Sequence, residues 1–201
     1  MFGAIPTKTR RLLAAATSIA LALLVGLLAP LLAAARAVAT RRAAPACPGA
    51  DLLPQAANLA AAGAAVECLL NRVRASQHEH PLRANRYLQR VAAREVRQMV
   101  GWNYFADAPP AGNSPARLIA ASRYGARAAR LSTGQNIGWG TGQFASPARM
   151  LSAWMASAPH RALILTGGFS DVGVGVSATL PAVLTHGEPG GLYAVEFAAR
   201  R

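Results

Sequence analysis

The chain has 201 residues and a formal charge of +13, with 53% hydrophobic but only 14% charged residues, about half the share usual in a globular domain. That length allows one domain plus a leader. The arginines are spread along the chain with no dense patch interleaved with aromatics, which sets nucleic acid aside as a partner and leaves acidic polymers or membrane head groups.

Residues 1–39 have the form of a secretory signal. Lys8, Arg10 and Arg11 precede an uncharged run from Leu12 to Ala35, and small residues offer cleavage sites after Ala37 or Ala39. The run of 24 residues is also long enough to span a bilayer. The segment therefore reads as a cleaved leader or a retained anchor, and membrane attachment follows only from the second. Residues 40–53 form a Pro- and Ala-rich linker, and the domain is expected over residues 54–201.

In an exported chain the two cysteines, Cys47 and Cys68, read as a disulfide. It closes a loop of about 20 residues, worth roughly 3 kcal/mol in the chain-entropy model. A lipid-modified Cys47 is the alternative, but the residue lies far beyond the hydrophobic run.

Helical spacing of Leu59, Ala62, Val66, Leu69, Leu70 and Val73 predicts a first helix over residues 55–76. Pro81 breaks the pattern. Asn85 caps a second helix running to Val100, with Leu88, Val91, Ala92, Glu95, Val96 and Met99 near one face. Glu95 is the odd member, a carboxylate where the pattern points inward. A loop with Trp102, Tyr104 and Phe105 follows, bordering a groove or closing the core. Ser114-Pro115 and Ser146-Pro147 each pair a cap with a proline at the first helical position. The second of these opens a helix carrying Met150, Leu151, Trp154 and Met155. "TGQNIGWGTG" reads as a strand and turn. Val172, Val174 and Val176, then Tyr193, Val195 and Phe197, alternate at strand period. Helices first and a strand pair last give an α+β layered domain.

Three elements stand together: Gly134–Ile137 as G-[EQ]-N-[IV], the block W-M-x-S-x-x-H-R-x-x-I-L from Trp154 to Leu165, and G-V-G-V at residues 173–176. In this order they resemble the CAP superfamily of cysteine-rich secretory, antigen 5 and pathogenesis-related proteins, in its bacterial SCP-like branch. The resemblance runs from about Cys47 to Phe197. It implies a three-layer α-β-α sandwich with a small antiparallel sheet and a cleft lined by two histidines and acidic residues. In some members that cleft binds a divalent metal such as zinc.

Carried over by position, the family's histidine in the H-R block is His160 and its G-E-N glutamate is Gln135. Its histidine inside the second helix falls at Glu95, and its histidine after the "FF"-type element falls at Asp107. A single histidine remains where a zinc site wants about three nitrogen- or sulfur-rich ligands, so no cofactor is expected, the alternative being a divalent metal in a mixed carboxylate-imidazole site of Glu95, Asp107 and His160. Glu95 facing His160 would instead make a hydrogen-bonded ion pair that favours imidazolium. The alternative for His160 is an imidazole at a helix C-terminus, stabilised by the negative helix end. Arg161 is expected to bond an acid or backbone carbonyls.

Ser157 lies three residues before His160, but no nucleophile elbow surrounds it. No H-E-x-x-H motif occurs, and no catalytic residue is assigned. The expectation is an exported, non-enzymatic binding module with a cleft of His160, Glu95, Gln135 and Asp107. Its partner would be a small apolar ligand or lipid, or a cell-wall or extracellular protein. A metal-dependent hydrolase using the same cleft is the competing reading.

Overall fold

The computed structural model describes residues 46–185 and 189–201. The leader expected over residues 1–39 lies outside the described residues. Cys47–Arg201 form one compact unit. It contains the sheet, the hydrophobic clusters and the disulfide described below, so it holds what a domain needs to fold alone.

Helix α1 is Leu59–Ser76, strand β1 is Arg83–Ala84 and helix α2 is Arg86–Gly101. Helix α3 is Pro115–Ala121, strand β2 is Leu131–Thr141, and helices α4 and α5 are Pro147–Ala156 and Ala158–Ile164. Strand β3 is Asp171–Ser177, helix α6 is Ala182–Thr185 and strand β4 is Gly190–Arg200. The expected caps form: Asn85 Oδ1 accepts from Tyr87 N, and Ser114 and Ser146 accept from Arg117 N and Arg149 N. Helix α1 starts four residues later than its apolar spacing suggested. Asn58 instead closes a turn, accepting from Gln55 N and donating to the Leu53 carbonyl.

The sheet runs β1-β3-β4-β2. β4 is antiparallel to both long neighbours, while the two-residue β1 joins β3 in parallel. Strand alternation splits the core into two faces. On one, Val172, Val174, Tyr193, Val195 and Phe197 pack under Val66 and Leu70 of α1 and Met150, Leu151 and Trp154 of α4. On the other, Leu192 and Ala194 meet Ala92, Val96 and Met99 of α2, and Ala198 meets Leu88, Val91 and Ile119. The result is an α+β sandwich with helices on both faces.

The glycines of G-V-G-V lie beneath α2. A Cβ on Gly173 would overlap the backbone of Leu88 and Gln89, and one on Gly175 would overlap Ala92 O and C. Their absent side chains let α2 approach the sheet at backbone distance.

Part of the expected linker is packed. Cys47 is disulfide-bonded to Cys68 of α1, and Ala50 O accepts from Ala148 N at 2.8 Å. Arg74, at 0% exposure, donates to the carbonyls of His80, Ile164, Thr166 and Phe169, at 2.8, 2.7, 3.1 and 3.4 Å. It ties the end of α5 and the loop beyond it to α1. A guanidinium can be buried here because its donors are taken up by carbonyls.

Candidate functional site

The polar site sits on the α2 side of the sheet. Glu196 of β4 pairs in register with Gln135 of β2 and Gly173 of β3. Its side chain shares the face with α2. Gln135 Nε2 donates to Glu196 Oε1 at 2.9 Å. Above it, Tyr104 Oη donates to Glu95 Oε1 at 3.1 Å. Both carboxyls are buried, Glu95 at 0% exposure and Glu196 at 1%. Burial pushes the Glu196 carboxyl up to about 8. The Gln135 amide pulls the other way, and the charges of Glu95 and Asp107 add to the rise. Burial also raises Glu95, against the Tyr104 hydrogen bond and the nearby Arg94 charge. The other oxygen of Glu95, Oε2, is buried with no hydrogen-bond partner, as is Oε1 of Gln98 one turn on.

A cavity of about 230 Å³ opens over this pair, lined by Asp107, Ser114, Pro115, Thr133, Gln135 and Glu196 among others. The raised carboxyl favours its neutral form at pH 7, in which the acid O–H can donate. The cavity therefore offers an acid O–H, an amide, two hydroxyls and, from exposed Asp107, a carboxylate.

His160 lies elsewhere. Asn136, adjacent to Gln135, points to the opposite face and donates to the His160 carbonyl at 3.2 Å. The imidazole Nδ1 meets Ser157 Oγ at 2.8 Å. His160 makes no hydrogen bond or ion pair with Glu95, Gln135 or Asp107, so the expected Glu95–His160 pair does not form. Glu95 is on a helix of one face and His160 on a helix of the other. His160 is also not at a helix C-terminus. The chain breaks at Ser157 and restarts as α5, which places His160 in its first turn. Arg161 bonds a backbone carbonyl as expected, donating to Met155 O at 2.8 Å.

The structure thus brings together Glu95, Gln135 and Asp107 of the expected set, leaves out His160, and adds Tyr104 and Glu196. Tyr104 and Phe105 pack on the α2 core, whereas Trp102 is 48% exposed. The missed residue, Glu196, had a legible signal: one carboxylate inside the apolar strand "GLYAVEFAA", out of phase with Tyr193, Val195 and Phe197. Among the described residues no three side chains of His, Cys, Asp or Glu converge to hold a metal. With oxygen donors dominating and the imidazole turned away, the residues do not fit a zinc site of the family's type.

The layers and the sheet order define an α-β-α sandwich with a polar cavity over a β-strand carboxyl. The chain belongs to the cysteine-rich secretory protein family (CAP), whose model matches residues 69–179. Solved structures share the fold. An extracellular protein containing a SCP domain from Bacillus anthracis is 21% identical over 68% of this chain and 39% of its own, with a TM-score of 0.53. An outer surface protein of Borrelia burgdorferi is 15% identical over 68% of this chain and 90% of its own, TM-score 0.54. A cysteine-rich secretory protein from Staphylococcus aureus is 16% identical over 72% and 40%, TM-score 0.52. This chain matches well under half the length of the Bacillus and Staphylococcus proteins. No curated protein matches it by sequence.

Proposed function

We propose that this CAP domain is an extracellular, non-enzymatic binding module whose ligand is a small molecule rich in hydroxyl or amide groups. The observation that carries this is the buried, neutral Glu196 carboxyl, hydrogen-bonded to Gln135 in the floor of the cavity. The mixed donors and acceptors suit a hydrogen-bonding ligand. The volume, below the roughly 300–1,000 Å³ of ordinary ligand pockets, suits a small one better than a lipid. The centre of the site is then Glu196, with His160 a supporting residue of α5. Export is supported by the leader's pattern and by a disulfide, which persists in oxidising compartments. Among the described residues no helix is long and apolar enough to cross a membrane.

Titration with glycerol, N-acetylated sugars and simple amides, followed by carboxyl carbon NMR of Glu196, tests the reading. Ligand should shift that resonance, and a folded Glu196→Ala variant should no longer bind. Hydrolysis of an ester, peptide or glycoside that Glu196→Gln abolishes would instead make the cleft catalytic. One zinc per chain, lost in His160→Ala, would restore the metal reading.

A further inference from the structure

The outer face of α2 is a one-sided charged surface. Arg86, Arg90, Arg94 and Arg97 are all exposed. At 100° per residue they fall within about 80° of arc, and at 1.5 Å per residue they span about 16 Å. The buried face of Leu88, Val91, Ala92, Glu95, Val96 and Met99 is opposite. No exposed acid interrupts the stripe, because Glu95 is the single acid of α2 and is buried. Like charges four residues apart destabilise a helix, and the partial offset here is the attraction of Arg94 to the buried Glu95. The one ion pair among the described residues is Arg83 with Asp171, at 4.0 Å. The guanidinia of Arg86 and Arg90 stack instead on Tyr87, 4.9 and 6.0 Å from the ring centroid.

We propose that this face docks on an anionic phospholipid surface, with the four guanidinia bridging lipid phosphates. Guanidinium forks match phosphate oxygens in pairs. One feature favours a bilayer over a soluble polyanion. The uncharged run ends at Ala35, followed by Arg36, Arg41 and Arg42 before Cys47. A retained run would hold the domain within about 40 Å of a membrane, where an anchor and a basic patch together give stable attachment. The apolar face of α2 is occupied by the sheet, so the contact is electrostatic and not insertive.

Vesicle co-sedimentation of Cys47–Arg201, which lacks the leader, tests this. The unit should bind phosphatidylcholine vesicles containing about one quarter phosphatidylglycerol and should not bind phosphatidylcholine alone, with binding lost in high salt. Each basic residue at such a surface is worth about fivefold, so Arg90→Gln with Arg94→Gln should weaken partitioning about 25-fold. Arg72→Gln with Arg149→Gln removes equal charge from α1 and α4 across the sheet and should change it less than about fivefold. Circular dichroism confirms that each variant is folded. Equal weakening by the two pairs overturns the proposal in favour of diffuse net charge. Polyphosphate binding as tight as vesicle binding, with the same sensitivity at α2, overturns the membrane assignment.

Discussion

Replacing Glu196 by Gln should remove the decline in stability that its raised carboxyl imposes between acid and weakly alkaline solution. Glutamine keeps the size of the side chain and an oxygen that accepts from Gln135 Nε2. In the wild type, burial raises the folded-state carboxyl from 4.5 to about 8. Below 4.5 folded and unfolded chains both hold the proton, and the buried neutral acid contributes fully. Between 4.5 and 8 the folded chain holds a proton that the unfolded chain has released, so stability falls by about 1.4 kcal/mol per pH unit. Above 8 the decline stops, after a loss on the order of 5 kcal/mol. That is comparable to the whole stability of a marginal domain. Glu95 is raised in the same direction and adds its own slope, but this is common to both proteins. Urea unfolding of wild type and Glu196→Gln at pH 5, 6, 7 and 8 measures the difference. The Gln variant should be flatter by several kcal/mol and the more stable of the two at pH 8. Parallel curves, within about 0.5 kcal/mol, would mean that Glu196 titrates as an ordinary carboxylate, and the argument for a neutral acid in the cleft would fail.

Gly173→Ala should destabilise the fold by about 2–3 kcal/mol in urea unfolding, because the new Cβ meets the α2 backbone, which cannot swing aside as a side chain can. Gly101→Ala, with nothing within 4 Å of its Cβ, should be neutral or stabilising by up to about 1 kcal/mol. A Gly173 variant as stable as the Gly101 variant would refute the close-approach account. Reducing Cys47–Cys68, whose partners are 21 residues apart, should lower stability by roughly 3 kcal/mol, read as a lower urea midpoint with dithiothreitol. An unchanged midpoint would show that the packed turn at Ala50 holds the N-terminal arm without the bond.

Much of the helical framework is legible along the chain because helix signals are local. Asn85, Ser114-Pro115 and Ser146-Pro147 announce their helices through caps and a fixed proline φ. The period of Leu88, Val91, Ala92 and Val96 also places Glu95 on the inward face. The restart at Ala158 is harder to see. Ser-Ala-Pro reads equally as the end of one helix or the start of the next, and the choice moves His160 from a helix C-terminus to a first turn.

The family, the two-faced patterning of the strands, the cysteine pair and the inward position of Glu95 can be read along the chain. These rest on residue type and on spacings of two, three or four. Which polar groups meet depends on how distant segments pair in the folded chain. Gln135 and Glu196 are 61 residues apart, and their contact depends on the register of β2 against β4. A slip of one residue would turn Glu196 to the other face. The same alternation sends Gln135 toward the cavity and Asn136 toward His160. The sheet therefore separates two family positions, His160 and Gln135, that the motif alone would place in one cleft.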